Sequence, residues 1–233
     1  MKWRLLTIVA MFAMIAGLTV RGGVAAQDLP TDSATPDFSE LDGIQDAVAR
    51  NYEGDISALY STDLSSGATP DFSSVGTFSI ISLIIRFEDD DKASDAFDQV
   101  NETITQQVSG ESETFGDLEE VDVDDFGDNT SAQAGSFDAA GVTTSVFFLT
   151  TQEDEFVYYT AVVSFADADS ARSTAVDFTN TVKDRDAGDG EVELHEDGTS
   201  SGGLFNKFPD ASDEVLTGVT PSADVQLYPE PES

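Results

Sequence analysis

Residues 77–87, Thr-Phe-Ser-Ile-Ile-Ser-Leu-Ile-Ile-Arg-Phe, constrain this chain more than any other stretch. β-Branched and aromatic residues dominate, and their period predicts a strand over Thr77–Phe87. Ile81, Leu83, Ile85 and Phe87 fall on one face, with Ser82 and Arg86 on the other. Glu88-Asp89-Asp90-Asp91 ends the strand and offers helix N-caps, because Asp oxygens accept from free backbone N–H groups and suit the positive dipole end. Phe97, Val100, Ile104 and Val108 then recur at helical spacing and predict a helix to about Ser109.

A similar unit follows further along the chain. Thr160-Ala161-Val162-Val163-Ser164-Phe165 aligns with Ser82-Leu83-Ile84-Ile85-Arg86-Phe87, and Asp167, Asp169 and Ala171 align with Asp89, Asp91 and Ala93 without a gap. The second helix carries Ala171, Ala175, Phe178 and Val182 on one face. An internal strand–helix duplication is one reading, and two ordinary junctions that share capping chemistry is the other. Between the units the chain reads as β: weak alternation over Leu118–Val123, a strand over Ser131–Asp138, and two strands over Val142–Thr150 and Phe156–Phe165. Gln152-Glu153-Asp154-Glu155 forms the turn between the last two. In the last strand Val157, Tyr159, Ala161, Val163 and Phe165 point one way.

Upstream, Asp37-Phe38-Ser39-Glu40 has capping-box spacing. With Leu41, Ile44, Ala47 and Val48 it predicts a helix over about 38–50, and a short strand is expected near 55–60. Residues 61–76 read as a loop. An apolar sheet face needs a cover, and amphipathic helices supply one. The expected class is therefore α+β, an antiparallel sheet with its helices on one face. The polar positions Ser82, Arg86, Tyr158, Thr160 and Ser164 would then lie opposite the helices and form the candidate ligand face. For Arg86, a salt bridge to a neighbouring acid is the plainer role.

Residues 1–26 have a secretory layout. Lys2 and Arg4 precede an uncharged apolar run from Leu5 to Val20, and Val24 and Ala26 suit a signal peptidase. Residues 27–36 read as a flexible leader, residues 37–186 as the α+β domain, and residues 187–233 as a polar linker and an irregular acidic segment docking on it. No second long apolar segment follows, so integral membrane association after signal cleavage is not expected. Export to the cell envelope or beyond is.

Charge narrows the partners. Residues 1–26 hold three of the ten Lys and Arg and none of the 46 Asp and Glu. Beyond them stand only Arg50, Arg86, Lys92, Arg172, Lys183, Arg185 and Lys207. Such a surface repels phosphate backbones, which excludes nucleic acid as a partner. Salt screens its self-repulsion, so an ion-rich setting is one reading and a well-solvated secreted surface the other. The chain has no cysteine, so packing alone must hold the fold.

Chemistry-bearing patterns are sparse, and no cofactor is implied. His195 is the only histidine. Gly198-Thr199-Ser200-Ser201-Gly202 matches a nucleophile elbow in spelling, but the histidine precedes it and no helix follows, so it reads as a linker. Calcium is the most reasonable ion, since it takes carboxylate and carbonyl oxygens. Three acidic clusters are candidates: residues 122–129, the set Asp184, Asp186, Asp189 and Glu191, and Glu88 to Asp91. The first lacks the closing Glu of an EF-hand, the second has the wrong spacing, and the third is better read as a helix cap. The expected role is a non-enzymatic binding or cell-surface module for a protein or small ligand. A carboxylate-based calcium-binding protein or hydrolase is the alternative.

Overall fold

The computed structural model describes residues 41–54, 76–109, 118–123, 126–139, 142–188, 192–195, 198–216 and 218–228. The expected capping box at 37–40, the strand near 55–60 and nearly all of the loop at 61–76 lie outside them. So do the signal and the leader.

The main sheet has seven strands: β1 (Ile44–Gly54), β2 (Thr77–Phe87), β3 (Glu119–Glu120), β4 (Asn129–Ala139), β5 (Val142–Glu153), β6 (Phe156–Ser164) and β9 (Val219–Tyr228). Their order is β3-β4-β5-β6-β2-β1-β9, and every neighbouring pair is antiparallel. Two helices, α1 (Asp90–Ser109) and α2 (Ala168–Lys183), follow β2 and β6. A two-stranded ribbon, β7 (Glu193–Leu194) with β8 (Ser200–Ser201), and a short 3₁₀ helix over Gly203–Lys207 lead into β9.

Both helix starts are capped as expected. The Lys92 amide donates to Asp89 at 2.9 Å, and the Ser170 amide donates to Asp167 at 2.8 Å. The second bond holds the Asp167 carboxyl below the usual carboxylate range. Ile85 and Val163 are buried, and the expected phase of β2 and β6 holds.

The helices do not share a face. Ala93, Ala96, Phe97, Val100 and Ile104 of α1 pack with Ile81, Leu83 and Ile85 of β2 and with Val157, Tyr159, Ala161 and Val163 of β6. Ala171, Ala175, Phe178 and Val182 of α2 pack with the alternate residues, Ile80 and Ile84 of β2 and Tyr158 and Val162 of β6. Successive side chains of a strand point to opposite faces, so α1 and α2 cover opposite sides of one sheet. This corrects the one-sided arrangement. The physical reason is in β2 itself: Ile80-Ile81 and Leu83-Ile84-Ile85 put apolar groups on both faces, and each face needs a cover.

The same observation bears on duplication. Two adjacent antiparallel strands are related by a two-fold axis normal to the sheet, which keeps equivalent residues and equivalent helices on one face. Leu83 and Ala161, or Ile85 and Val163, do share a face, but the helices behind them diverge. Capping chemistry and strand phase recur, and the packing does not.

Residues 44–50 are strand rather than the end of a helix. Ala47 and Ala49 face the α1 side, while Val48, Arg50 and Tyr52 face the α2 side. A strand buried on both faces loses its period of two, and the alanines lend it helical propensity that packing overrides. Gly43 sets the entry. Its φ is +79°, and a Cβ there would come within 2.9 Å of the Lys92 side chain. The tail is also more regular than expected. Val219–Tyr228 forms a ten-residue edge strand on β1 in place of an irregular segment. Pro221 sits in that edge strand, where a missing N–H is tolerated and further strand addition is discouraged.

Candidate functional site

Four of the five expected ligand-face residues lie on the α2 side and are buried. Ser82 and Ser164 are each 1% exposed, and Thr160 is closed off by α2. The Thr179 hydroxyl lies 2.8 Å from both the Thr160 hydroxyl and the Ala175 carbonyl. A single chain of bonds satisfies all three: Thr160 donates to Thr179, which donates to Ala175. Ser164 lies 3.1 Å from the Gly76 carbonyl. Tyr158 is buried against the 3₁₀ segment, and burial, reinforced by the Glu153, Glu155 and Asp154 carboxylates, pushes its phenol above the usual tyrosine range. Only Arg86 reaches solvent. It pairs with Glu155 at 3.5 Å and lies over the Phe156 ring, the plainer role foreseen for it. The five share a face, and α2 with the C-terminal segment covers it.

That face is held by cations. The Arg50 guanidinium grips Asp224 through Nε and Nη2, each at 2.6 Å, and its Nη2 also donates to the Ser200 carbonyl at 2.7 Å. Arg50 and Asp224 are register partners on β1 and β9, so the pair closes the sheet edge. The Ser200 amide donates to the same carboxylate, and the guanidinium lies over the Phe208 ring. Beside it, the Tyr52 hydroxyl donates to the Pro209 carbonyl at 3.1 Å, and burial pushes that phenol well up. Lys207 is equally enclosed. Its ammonium donates to the Lys183 and Arg185 carbonyls at the end of α2 and lies 4.9 Å from the centre of the Phe156 ring. Burial lowers its pKa, against the opposing pull of Asp186, Glu155, Glu153 and Asp184.

The remaining four cations are committed too. Lys92 pairs with Asp42, Lys183 with Glu153 at 2.6 Å and Arg185 with Asp213 at 2.6 Å, while Arg172 donates to the Asp122 carbonyl at 2.7 Å. Every Lys and Arg beyond Ala26 therefore holds part of this fold to another part.

The α1 side differs. Past α1, over β4, β5 and β6, lies a shallow groove with free space for only about one water molecule. Asn101 and Ile104 of α1 form one wall, and Ser131, Gln133, Phe148, Thr150 and Tyr159 form the floor. Ser131, Thr150 and Tyr159 are register partners across the three strands, which sets three hydroxyl-bearing residues in a row. Asn101 reaches down and donates to Ser131 at 3.2 Å. Thr150 is 3% exposed and Tyr159 7%, and both line the groove. Burial alone raises the Tyr159 phenol above its ordinary value. No carboxylate, imidazole, ammonium or guanidinium belongs to this lining. The strand period placed Tyr159 on an apolar face, and nothing in the sequence marked where α1 ends its cover of that face.

The acidic clusters have structural duties. Asp89 caps α1, and Asp90 accepts from the Gln152 amide at 2.7 Å. At the 122–129 loop, Gly127 lies where a Cβ would meet the Gln152 carbonyl at 2.7 Å, so the loop is pressed against β5. Asp124, Asp125, Asp189 and Glu191 lie outside the described residues. Among those described, no three of His, Asp and Glu gather in a way that could hold a metal ion. Nor, among them, is any helix long and apolar enough to cross a membrane. His195 Nε2 lies 3.0 Å from the Ser201 hydroxyl in an exposed contact. Asp224, tied to the same ribbon through the Ser200 amide, is engaged by that amide and by Arg50, and it is not bonded to the imidazole.

No family model, no curated protein and no solved structure matches this chain.

Proposed function

We propose that this protein is an exported, non-enzymatic binding or cell-surface module whose partner rests over the shallow groove between α1 and strands β4–β6. The observation that carries the reading is the row of hydroxyl-bearing residues, Ser131, Thr150 and Tyr159, in an uncharged lining beside α1. A hydroxyl both donates and accepts, so such a row suits a polar partner laid across it. A lining without titratable acid–base pairs favours binding over proton-transfer chemistry. Export rests on the secretory layout of residues 1–26, and the acid-rich composition suits an ion-rich exterior. The carboxylate-based alternative, a calcium-binding protein or hydrolase, draws no comparable support from the described residues.

The test is site-specific photo-crosslinking in native envelope extract. A photoreactive side chain at Gln133, on the groove rim, should give a discrete adduct. The same group at Asp177, on the exposed side of α2, should give none. Equal labelling at both positions, or none at Gln133, sinks the reading.

A further inference from the structure

A candidate for covalent modification stands at the start of β4, and it rests on export of the chain, not on the groove. We propose that the side-chain amide of Asn129 carries an N-linked sugar. The acceptor pattern for such sugars is Asn, any residue but Pro, then Ser or Thr. Of the five asparagines, Asn51, Asn180 and Asn206 fail at the third place, while Asn101-Glu102-Thr103 and Asn129-Thr130-Ser131 fit. The fold separates these two. The pattern couples an amide to a hydroxyl two residues on, so both must be presented together. Within α1, two residues turn the helix by about 200°, which sets Thr103 across the axis from Asn101. The Thr103 hydroxyl is folded back on the Gln99 carbonyl at 2.8 Å, and the Asn101 amide is engaged by Ser131 at 3.2 Å. In β4, residues two apart point to one face, so the Asn129 amide and the Ser131 hydroxyl stand side by side. Asn129 follows directly on the bend at Gly127-Asp128, and none of Asn129, Thr130 and Ser131 is buried.

The amide can take the change without losing its hold on the fold. Its nitrogen bears two hydrogens. One is donated to Gln152 Oε1 at 2.9 Å in a part-buried contact, and the other to the Ser94 hydroxyl at 3.2 Å in an exposed one. The reaction is a glycosyl transfer from a sugar carried on a lipid diphosphate. Asn129 Nδ2 forms a bond to the anomeric carbon, and the bond from that carbon to the diphosphate oxygen breaks. The diphosphate leaves with the electron pair, and Nδ2 gives up one proton to the transferase. Replacing the hydrogen that faces Ser94 keeps the bond to Gln152 and sends the sugar into solvent near the start of α1.

Mass spectrometry of the protein taken from its native cells and their medium tests this. The intact chain should exceed the mass of residues 27–233 by at least one sugar residue. Cleavage at acidic residues separates Asn101 from Asn129 and should place the increment on Asn129. Asn129→Gln and Ser131→Ala, each checked for folding by its melting temperature, should abolish the increment. Ser131→Thr keeps the hydroxyl and should retain it, and Asn101→Gln should leave it in place. A chain of bare sequence mass, an increment carried by Asn101, or one that survives Asn129→Gln overturns the proposal. The N-terminus of the same sample separates this proposal from the reading it rests on. A bare chain that begins at Gln27 removes the sugar and leaves export standing, and a bare chain that keeps residues 1–26 removes both.

Discussion

The two faces of one sheet solve the same problem in opposite ways. Under α2, the chain brings charge indoors and satisfies it: Arg50 with Asp224 and the Ser200 carbonyl, Lys207 with the carbonyls that end α2. Under α1, the groove lining holds no charged side chain, and the buried Thr144 hydroxyl on β5 has no partner among the described residues. The α2 face also carries the C-terminal 3₁₀ segment as a second cover, with Leu204, Phe205 and Phe208 buried beneath it. The contrast concerns stability: a buried charge that is paired and bonded adds to it, and a buried hydroxyl without a partner lowers it.

The largest effect should come from breaking the α2 side at its charged lock. Arg50→Ala leaves the Asp224 carboxylate, fully enclosed, without its partner. Removing one member of a buried pair costs about 3–5 kcal/mol, much of it the stranded charge. Denaturant unfolding should show that loss, and hydrogen exchange should show β9 opening first. The double variant Arg50→Met with Asp224→Leu should recover most of it, since apolar replacement of a buried pair is often neutral or better. A single-variant loss under about 1 kcal/mol would mean that β9 is not held from this face.

Salt acts next, on the surface that both faces share. Seven cations are tied into the fold against 46 acids, so little positive charge remains to offset repulsion among exposed carboxylates. At 1 M salt the screening length falls to about 3 Å. The melting temperature should rise by at least about 4 °C between low and high sodium chloride, which corresponds to roughly 1–2 kcal/mol in a chain of this size. A flat profile would show that the acids are too well solvated to repel, and the ion-rich setting would lose its support.

How much of this was legible beforehand follows from the same two faces. The β2–α1 and β6–α2 junctions could be read because capping is local: Asp89 and Asp167 each accept from an amide one helical turn ahead. The meander of β4, β5 and β6 was legible for the same reason, through its short turn at Asp154. What could not be read is which side a helix takes. Leu83 and Ile84 are both apolar, so either side of β2 would serve, and only the whole packing decides. That ambiguity hid the doubly buried β1 behind a helical pattern, and it put Ser82, Thr160 and Ser164 on an open face that α2 in fact closes. The outer partner of β1 is β9, near the far end of the chain, and no local period announces a pairing of that range. The groove was invisible for a further reason: it is defined by where α1 passes over β4, β5 and β6, which no strand period shows.

A smaller effect should sharpen the contrast from the α1 side. Thr144 is buried, and its hydroxyl is a side-chain group with no hydrogen-bond partner among the described residues. Thr144→Val keeps the shape and removes the orphan, so stability should rise by about 1 kcal/mol. Measured destabilisation would show that the hydroxyl has a partner, such as water, and that the α1 face is better satisfied than its geometry implies.

The smallest effect lies near the start of β1, at Asp46. Burial raises its carboxyl above the ordinary value, and the Gln226 amide, donating at 2.6 Å, pulls it part of the way back. The sign follows from linkage. Between the unfolded pKa near 3.8 and the higher folded value, the native state holds a proton that the unfolded state has lost, so stability falls as pH rises through that window. The cost is fully present at neutral pH and gone below the unfolded value. Asp46→Asn keeps an acceptor for Gln226 and removes the charge. It should therefore stabilise the protein by a few tenths of a kcal/mol, about 0.5 at most given the partial exposure, at pH 7, and by nothing at pH 3. Because Arg86 also pulls the carboxyl down, a loss of stability at neutral pH would mean that this attraction outweighs burial, and the strand's start would then belong with the charge-satisfied side.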